Sequence, residues 1–318
     1  MKKIISLILC ISIILLTTAC SSKKSVALVI QSDDIIQGSF GELIWMGIVS
    51  LQNEINPKFI KKAAGDSIET KLQKAVKEGN NIIWVLEETS NANIKKVATA
   101  NPKQKFAVLD YQVPLPNVVS LTFKAEEGSA LAGYIAGYMT KTNKIGFIGG
   151  RDTDVINKFE EGFLFGIKTA AKELDKEIEF VGKYSESFYD EEIGKAMADE
   201  MYADGTDIIY QAAGLCGNGV ITSAVENNKW VIGADYDQSS LAEYNVLTSV
   251  MKNVTIAVNQ VTIKMLDETL TSNDVCLGLK ENAISLAPTR THIPDSVWEK
   301  AMAFKQIIID EYQAELDD

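Results

Sequence analysis

A single histidine, His292, stands in 318 residues, within Thr-His-Ile-Pro near the C-terminus. That scarcity excludes a His-rich zinc site and leaves a Ser/His triad only one candidate base. The setting reads as a surface or capping residue. Cysteine is also rare: residues 10, 20, 216 and 276, with no C-x-x-C, so thiolate zinc and dithiol redox motifs are absent. No G-x-x-x-x-G-K-[ST] occurs, which removes a P-loop. Neither Gly214-x-x-Gly217-x-Gly219 nor Gly146-x-x-Gly149-Gly150 has the dinucleotide spacing. There is no G-x-S-x-G elbow and no H-E-x-x-H helix. Basic residues are in deficit, 31 against 43 acidic ones, for a net charge of −12. That balance excludes a nucleic-acid backbone as partner and disfavours an anionic ligand held by bulk charge. Low-complexity tracts and short-period repeats are missing. Carboxylates abound, so counting alone leaves an acid/base pair open, but nothing assembles an activated nucleophile. Binding without turnover, with no cofactor and no metal, is the expectation.

No apolar run reaches membrane-spanning length. The longest opens the chain, where Met-Lys-Lys precedes Ile4–Leu16. Thirteen residues are too few to span a bilayer, which needs about 20, and fit the h-region of a secretory signal. The run ends in Leu16-Thr17-Thr18-Ala19-Cys20-Ser21-Ser22, small residues leading into a cysteine as in a bacterial lipobox. Thr17 stands where Leu is usual, and Leu16 is one place early. The preferred reading is a signal peptide over 1–19, lipid on the Cys20 sulfur and a polar tether to residue 25, holding the protein at a membrane surface. A plain secretory cut is the competing reading. Losing Lys2 and Lys3 with the leader takes the charge to −14. Cys216 and Cys276 then remain, able to pair or to stay free, and free is preferred.

What is present is a regular alternation of strands and helices. The composition is globular, 46% hydrophobic and 23% charged, and the length allows two domains. The most informative unit is DIIYQAAGLCGNGVITSAVENNKWVIGADYDQ, residues 207–238. A strand over Asp207–Ala213 runs into the glycine-rich turn Gly214–Gly219, then a helix with Val220, Ile221, Ala224 and Val225 at helical spacing, then a strand ending on Asp235. A glycine loop at a helix start and a carboxylate at the next strand end mark a ligand rim in a parallel sheet. The same unit recurs along the chain. Strands are expected at Val26–Ile30, Phe59–Ala63, Ile82–Leu86, Phe106–Leu109 and Val118–Phe123, then at Lys144–Ile148, Ile178–Val181, Val246–Met251, Val275–Leu279 and Ile284–Leu286. Asp66 is expected to cap one helix and Thr89 to begin another.

Alternation of this kind builds an α/β fold with parallel sheets. Two successive sets of units predict two Rossmann-like lobes, 26–124 plus 248–277 and 125–247 plus 278–318. They would be joined by three hinge crossovers near 124, 247 and 278, with a cleft between the lobes. The small-residue stripe Gly128, Ala130, Ala132, Gly133, Ala136, Gly137 predicts a closely packed helix, while Phe159 and Phe163 read as core. The strand-end loops should face the cleft: Gln31–Phe40, Glu87-Glu88, Asp110-Tyr111, Gly149–Asp152, Ser187–Asp190, Gly214–Gly219 and Asp235–Asp237.

Six segments carry a resemblance: VVSLTFKAEEGSALAGYIAGYMTKTNKIGFIGG (118–150), NKFEEGFLFGI (157–167), DIIYQAAGLCGNGV (207–220), KWVIGADYDQ (229–238), NVLTSVMKNV (245–254) and GLKENAISLAP (278–288). On these the chain resembles the bacterial basic membrane protein family of lipoproteins, which includes purine nucleoside receptor lipoproteins. The resemblance implies a type I periplasmic-binding-protein fold, a nucleoside or nucleoside-like ligand, an ABC transporter permease as partner and a monomer. It implies a base-stacking pair, Phe40 and Phe188, and a ribose-binding set, Asp110, Gly214, Asp235 and Lys280. Aromatic faces suit a purine, and carboxylates and a lysine suit ribose hydroxyls. The chain departs from the family pattern where a paired-Asp loop precedes Ser-Phe: Ile36 and Gln37 stand there, with Asp33 and Asp34 three positions earlier. Gly41 replaces a common Asn, and Glu87 and Glu88 replace small or apolar residues. These departures keep a second reading in view, a sensory or regulatory lipoprotein with an altered ligand. A nucleoside hydrolase is a third.

Overall fold

A computed structural model of the chain describes residues 23–317, apart from residues 33, 62–65 and 87–90. The leader, Cys20, Asp33, the Glu87-Glu88 pair and the helix start at Thr89 lie outside the described residues.

The first lobe takes β1 (Lys24–Ile30), α1 (Phe40–Val49), β2 (Ile55–Phe59), α2 (Ile68–Lys77), β3 (Ile82–Leu86), α3 (Ala92–Ala100), β4 (Lys105–Leu109) and β5 (Val118–Phe123). The second takes α4 (Ala125–Met139), β6 (Lys144–Gly149), α5 (Asp154–Leu174), β7 (Glu179–Tyr184), α6 (Glu191–Ala203), β8 (Ile208–Ala212), α7 (Cys216–Glu226), β9 (Trp230–Asp235) and β10 (Val246–Lys252). The chain returns to lobe one for α8 (Val254–Leu266) and β11 (Asp274–Leu277), then to lobe two for β12 (Ile284–Leu286) and α9 (Asp295–Asp317). Each sheet has six strands, ordered β11-β5-β4-β3-β1-β2 and β12-β10-β9-β8-β6-β7. All pairings are parallel except β10 with β12. Helices cover both faces, so the central strands are buried on both sides and read as apolar runs, Val26–Ile30 and Ile82–Val85 among them.

The stripe of small residues on α4 does what its composition predicts. A Cβ on Gly133 would lie 2.0 Å from the Phe163 carbonyl oxygen, and one on Gly166 of α5 1.9 Å from that of Ala130. The two helix backbones touch, and only glycine at the crossing permits it. On the far side of α4, Tyr134 stacks on Phe304 of α9 at 4.8 Å.

Three sequence expectations are corrected. The second strand is Ile55–Phe59, not 59–63. Pro57 argues against a strand there, yet β2 is an edge that pairs with β1 alone, and an edge tolerates a missing N–H. Ser67, not Asp66, caps α2, its hydroxyl accepting the Thr70 N–H. The second crossover falls at Asn253 and not near 247, which moves 248–252 into lobe two. The strand β10 pairs with β9 and β12 along its length, and the chain leaves that sheet only after Lys252. Beyond it α8 docks on lobe one, Thr255 Oγ1 donating to the Leu43 carbonyl at 3.1 Å and Trp84 Nε1 to Thr262 Oγ1 at 2.9 Å.

The crossings are stitched to one another. Lys124 N donates to the Leu277 carbonyl at 2.9 Å, and Asn253 N to that of Ala283 at 2.9 Å. The buried Glu127 carboxylate accepts the Leu279 N–H at 2.6 Å and lies 3.4 Å from Lys124 Nζ.

Replacing Gly166 with valine should force α4 and α5 apart. We expect a loss of about 1–3 kcal/mol or more of unfolding free energy, read as a lower urea midpoint at unchanged slope.

Candidate functional site

The carboxyl ends of both sheets converge on one cleft of about 840 Å³, counting its mouth. Lobe one contributes Phe40, Leu86, Asp110 and Tyr111, and lobe two Thr153, Phe159, Phe188, Gly214 and Asp235. Lys252, at the end of β10, sits at the hinge between them. Gly38 of lobe one lies against Leu215 and Tyr236 of lobe two, so the lobes meet across the mouth.

Each aromatic is placed by its local backbone. Phe40 is the first residue of α1, whose N-cap Ser39 accepts the Glu42 N–H, while Glu42 Oε2 accepts the Gly38 N–H at 2.7 Å. Phe188 precedes α6, and its carbonyl oxygen accepts N–H groups from Leu215 at 2.9 Å and Cys216 at 3.3 Å. The start of α7 is thus occupied by a protein carbonyl, not open to a ligand as its glycine-rich sequence suggests. Gly217 and Gly219 lie inside α7 and serve packing, so of the three glycines only Gly214, at φ +59°, lines the cleft. Gly150 clears the space in which the Phe188 ring lies, and the Arg151 guanidinium stands 5.6 Å from that ring's centre. Phe159 is core as expected, and it also walls the cleft.

The charged floor is built from strand ends. Asp110 follows β4 and Asp235 ends β9, and both adopt left-handed backbone, φ 63° and 69°. For residues other than glycine that conformation is uncommon and costs about 1–3 kcal/mol. The strands β4 and β9 hold the same place in their sheets, third from the end. The two aspartates are therefore equivalent positions of a duplicated plan. Lys252 Nζ donates to Asp110 Oδ2 at 2.6 Å, and the lysine is only 4% exposed. Around the ammonium stand the rings of Phe40, Phe123 and Phe159, with centres at 4.6, 5.0 and 5.5 Å. Asp235 keeps part of its surface open to the cleft, but protein encloses it on most sides. Desolvation pushes its carboxyl up to about 6; Lys252 pulls it back down and the Asp110 charge adds to the rise.

Lys280 does not join this group. The strand β11 ends at Leu277 rather than at 279, and the chain turns at Gly278, which packs on Glu127 and Lys124. Leu279 goes inward and Lys280 lies on the exposed side of the turn. Among the described residues, the lysine that lines the cleft is Lys252. It was within reach of the strand-end rule, because the apolar run Val246–Met251 stops at it. Asp34 pairs with Lys61 on the surface at 3.5 Å and does not line the cleft, and Ile36 and Gln37 are exposed on the loop leading to Ser39. His292 packs in a tilted contact on Trp230, ring centres 5.0 Å apart, on lobe two, outside the cleft. Cys216, buried in lobe two, and Cys276, exposed in lobe one, are both free. Among the described residues no cluster of His, Cys, Asp or Glu could hold a metal, and no helix is long and apolar enough to cross a membrane.

Two parallel-sheet lobes joined by three strands of hinge around a strand-end cleft define a periplasmic-binding-protein type of solute receptor. In structure, the solute-binding protein of Aeropyrum pernix K1 matches with a TM-score of 0.81 at 22% identity, over 91% of this chain and 92% of that one. In sequence, the chain is 35% identical to basic membrane protein A of Borreliella afzelii over 280 residues, 85% of each chain. It is 31% identical over 316 residues to the CD4+ T-cell-stimulating antigen of Listeria monocytogenes, covering 91% of this chain and 87% of the relative. A family model described as "Bmp: ABC transporter substrate-binding protein PnrA-like" matches residues 23–315. The chain belongs to the basic membrane protein family of ABC transporter substrate-binding proteins.

Two outcomes follow from the charged floor. Lys252→Met strands the two carboxylates of the floor and should cost about 3–5 kcal/mol in thermal or urea unfolding. Because the folded protein raises the Asp235 carboxyl to about 6, ionising it opposes folding progressively from about pH 4 and in full above pH 6. Asp235→Asn should therefore be more stable than the parent at pH 8 and converge with it towards pH 4.

Proposed function

We propose that the protein is a lipid-anchored receptor that captures a nucleoside, purine by preference, between its lobes and hands it to an ABC permease. One observation carries this reading: Phe40 and Phe188 reach the same cleft from opposite lobes above an Asp110–Lys252–Asp235 floor. A flat base takes the aromatic faces, and ribose hydroxyls donate to the carboxylates and accept from the ammonium. Neutral ligands of this kind suit a cleft whose two acids outnumber its one ammonium. The anchor is placed at Cys20, after removal of 1–19, on the extracytoplasmic face of the membrane. The receptor acts as a monomer and does not turn its ligand over.

Calorimetry against a panel of purine and pyrimidine nucleosides tests the reading. Binding by at least one purine nucleoside is expected, and silence across the whole panel would remove the proposal. Asp235→Ala should weaken binding at least about tenfold, because hydroxyls desolvated in the cleft lose their acceptor. Hydroxyl donors favour the ionised carboxyl, so the pKa of Asp235 falls on binding. Protons should be released near pH 6 and not at pH 8, and affinity should rise between pH 5 and 7. Titrations in buffers of different ionisation enthalpy read this directly.

A further inference from the structure

Two glutamines are buried beside the strand ends of the second lobe. Gln211, in β8, is 1% exposed, and Gln238, three residues past Asp235, is 2% exposed. Gln238 Oε1 accepts the Ala234 N–H at 3.0 Å and Gln211 Nε2 at 2.6 Å, and Gln211 Oε1 accepts the Ala213 N–H at 3.1 Å. Gln238 N donates to Ser249 Oγ of β10 at 3.1 Å. The two backbone N–H groups can only donate, so each must face an amide oxygen. That leaves the Gln211 NH2 to face Gln238, and the orientation of both amides is determined. Space has been cleared for them: a Cβ on Gly233 would stand 2.4 Å from Gln238 Oε1, and one on Gly217 1.9 Å from Gln211 Oε1.

The chain of bonds joins three strand ends. Gly214 lies three residues after Gln211, Asp235 three before Gln238, and Lys252 three after Ser249. The Ala234 N–H bond grips the residue next to the left-handed Asp235. The β10 ladder holds this turn through Met251; without the Gln238 bond as well, the strained turn would relax and swing the carboxylate out of register. We propose that Gln238, braced by Gln211, is a positioning residue that holds Asp235 in its ligand-accepting place.

This inference rests on the ligand reading for its affinity consequences, but its first test does not. Carbon-13 NMR of the side-chain carboxyls, without ligand, reports where Asp235 titrates, Asp235→Asn assigning the signal. In Gln238→Met, similar in size and without the acceptor, the Asp235 titration should move down towards the ordinary aspartate range as the loop opens to water. In Gln238→Glu, a carboxylate oxygen can accept both N–H groups, so the loop stays in place. The added negative charge should then move the Asp235 titration upward. Gln211→Met removes the donor that braces Gln238 without adding charge, and should move the Asp235 titration in the same direction as Gln238→Met. An Asp235 titration unmoved in both Gln238 variants would overturn the proposal.

Nucleoside calorimetry then follows the consequence. Gln238→Met should lose at least about tenfold in affinity, and Gln238→Glu at pH 8 should keep the parent value within a few-fold. In an Asp235→Ala background Gln238→Met should cost nothing further. Additive losses there would show that Gln238 acts by another route and would also overturn the proposal. If the parent binds no nucleoside, the ligand reading falls while the NMR titration still decides this one.

Discussion

One ion pair organises the molecule. Lys252 is the last residue of the second lobe's β10, Asp110 follows the first lobe's β4, and their 2.6 Å contact crosses from one lobe to the other beside the hinge. Taking an ammonium out of water costs several kcal/mol, and the pair repays it only with good geometry and further contacts. Here those contacts are three aromatic rings whose faces attract a cation, and the charge of Asp235 acts on the ammonium from farther off. The floor of the cleft is thus charged and the walls are apolar.

The two lobes repeat one plan, and the site uses the repeat. The strands β4 and β9 occupy equivalent places, and both lead into a left-handed aspartate. An extended strand that must stop and present a carboxylate over its own end reverses its backbone there, and aspartate is among the few residues that tolerate it. The duplicated acids receive different environments. Asp110 is paired directly with Lys252. Asp235 is desolvated without a bond of that kind, and its carboxyl rises to about 6. One plan therefore yields a structural partner for the lysine and an acceptor with unused capacity. The hinge is close-stitched, Glu127 linking two crossings through Leu279 and Lys124. The Asn253 N–H on the Ala283 carbonyl ties in the remaining crossing.

Much of this could be read along the chain. Strand–helix alternation, two sets of units, the contact between α4 and α5, and the placing of Phe40, Asp110, Phe188, Gly214 and Asp235 at strand ends or helix starts are local properties. They depend on periodicity, side-chain size and turn chemistry within a few residues. Lys252 was equally legible, since it ends an apolar strand, but Lys280 ends a similar run at the third crossover. Choosing between them required knowing that Gly278 turns the chain against Glu127.

The sequence by itself determined the fold class, because the helical and strand periods and their order leave few ways to bury these apolar runs. It also determined that the acids and aromatics would gather at strand ends. Tertiary structure alone decided which lysine meets Asp110, where the second crossover falls, that the glycines of α7 serve packing, and which amides brace Asp235. Each of these depends on contacts between residues that are distant along the chain. Local pattern carries no record of them, and only the packed sheets bring the partners within hydrogen-bonding distance.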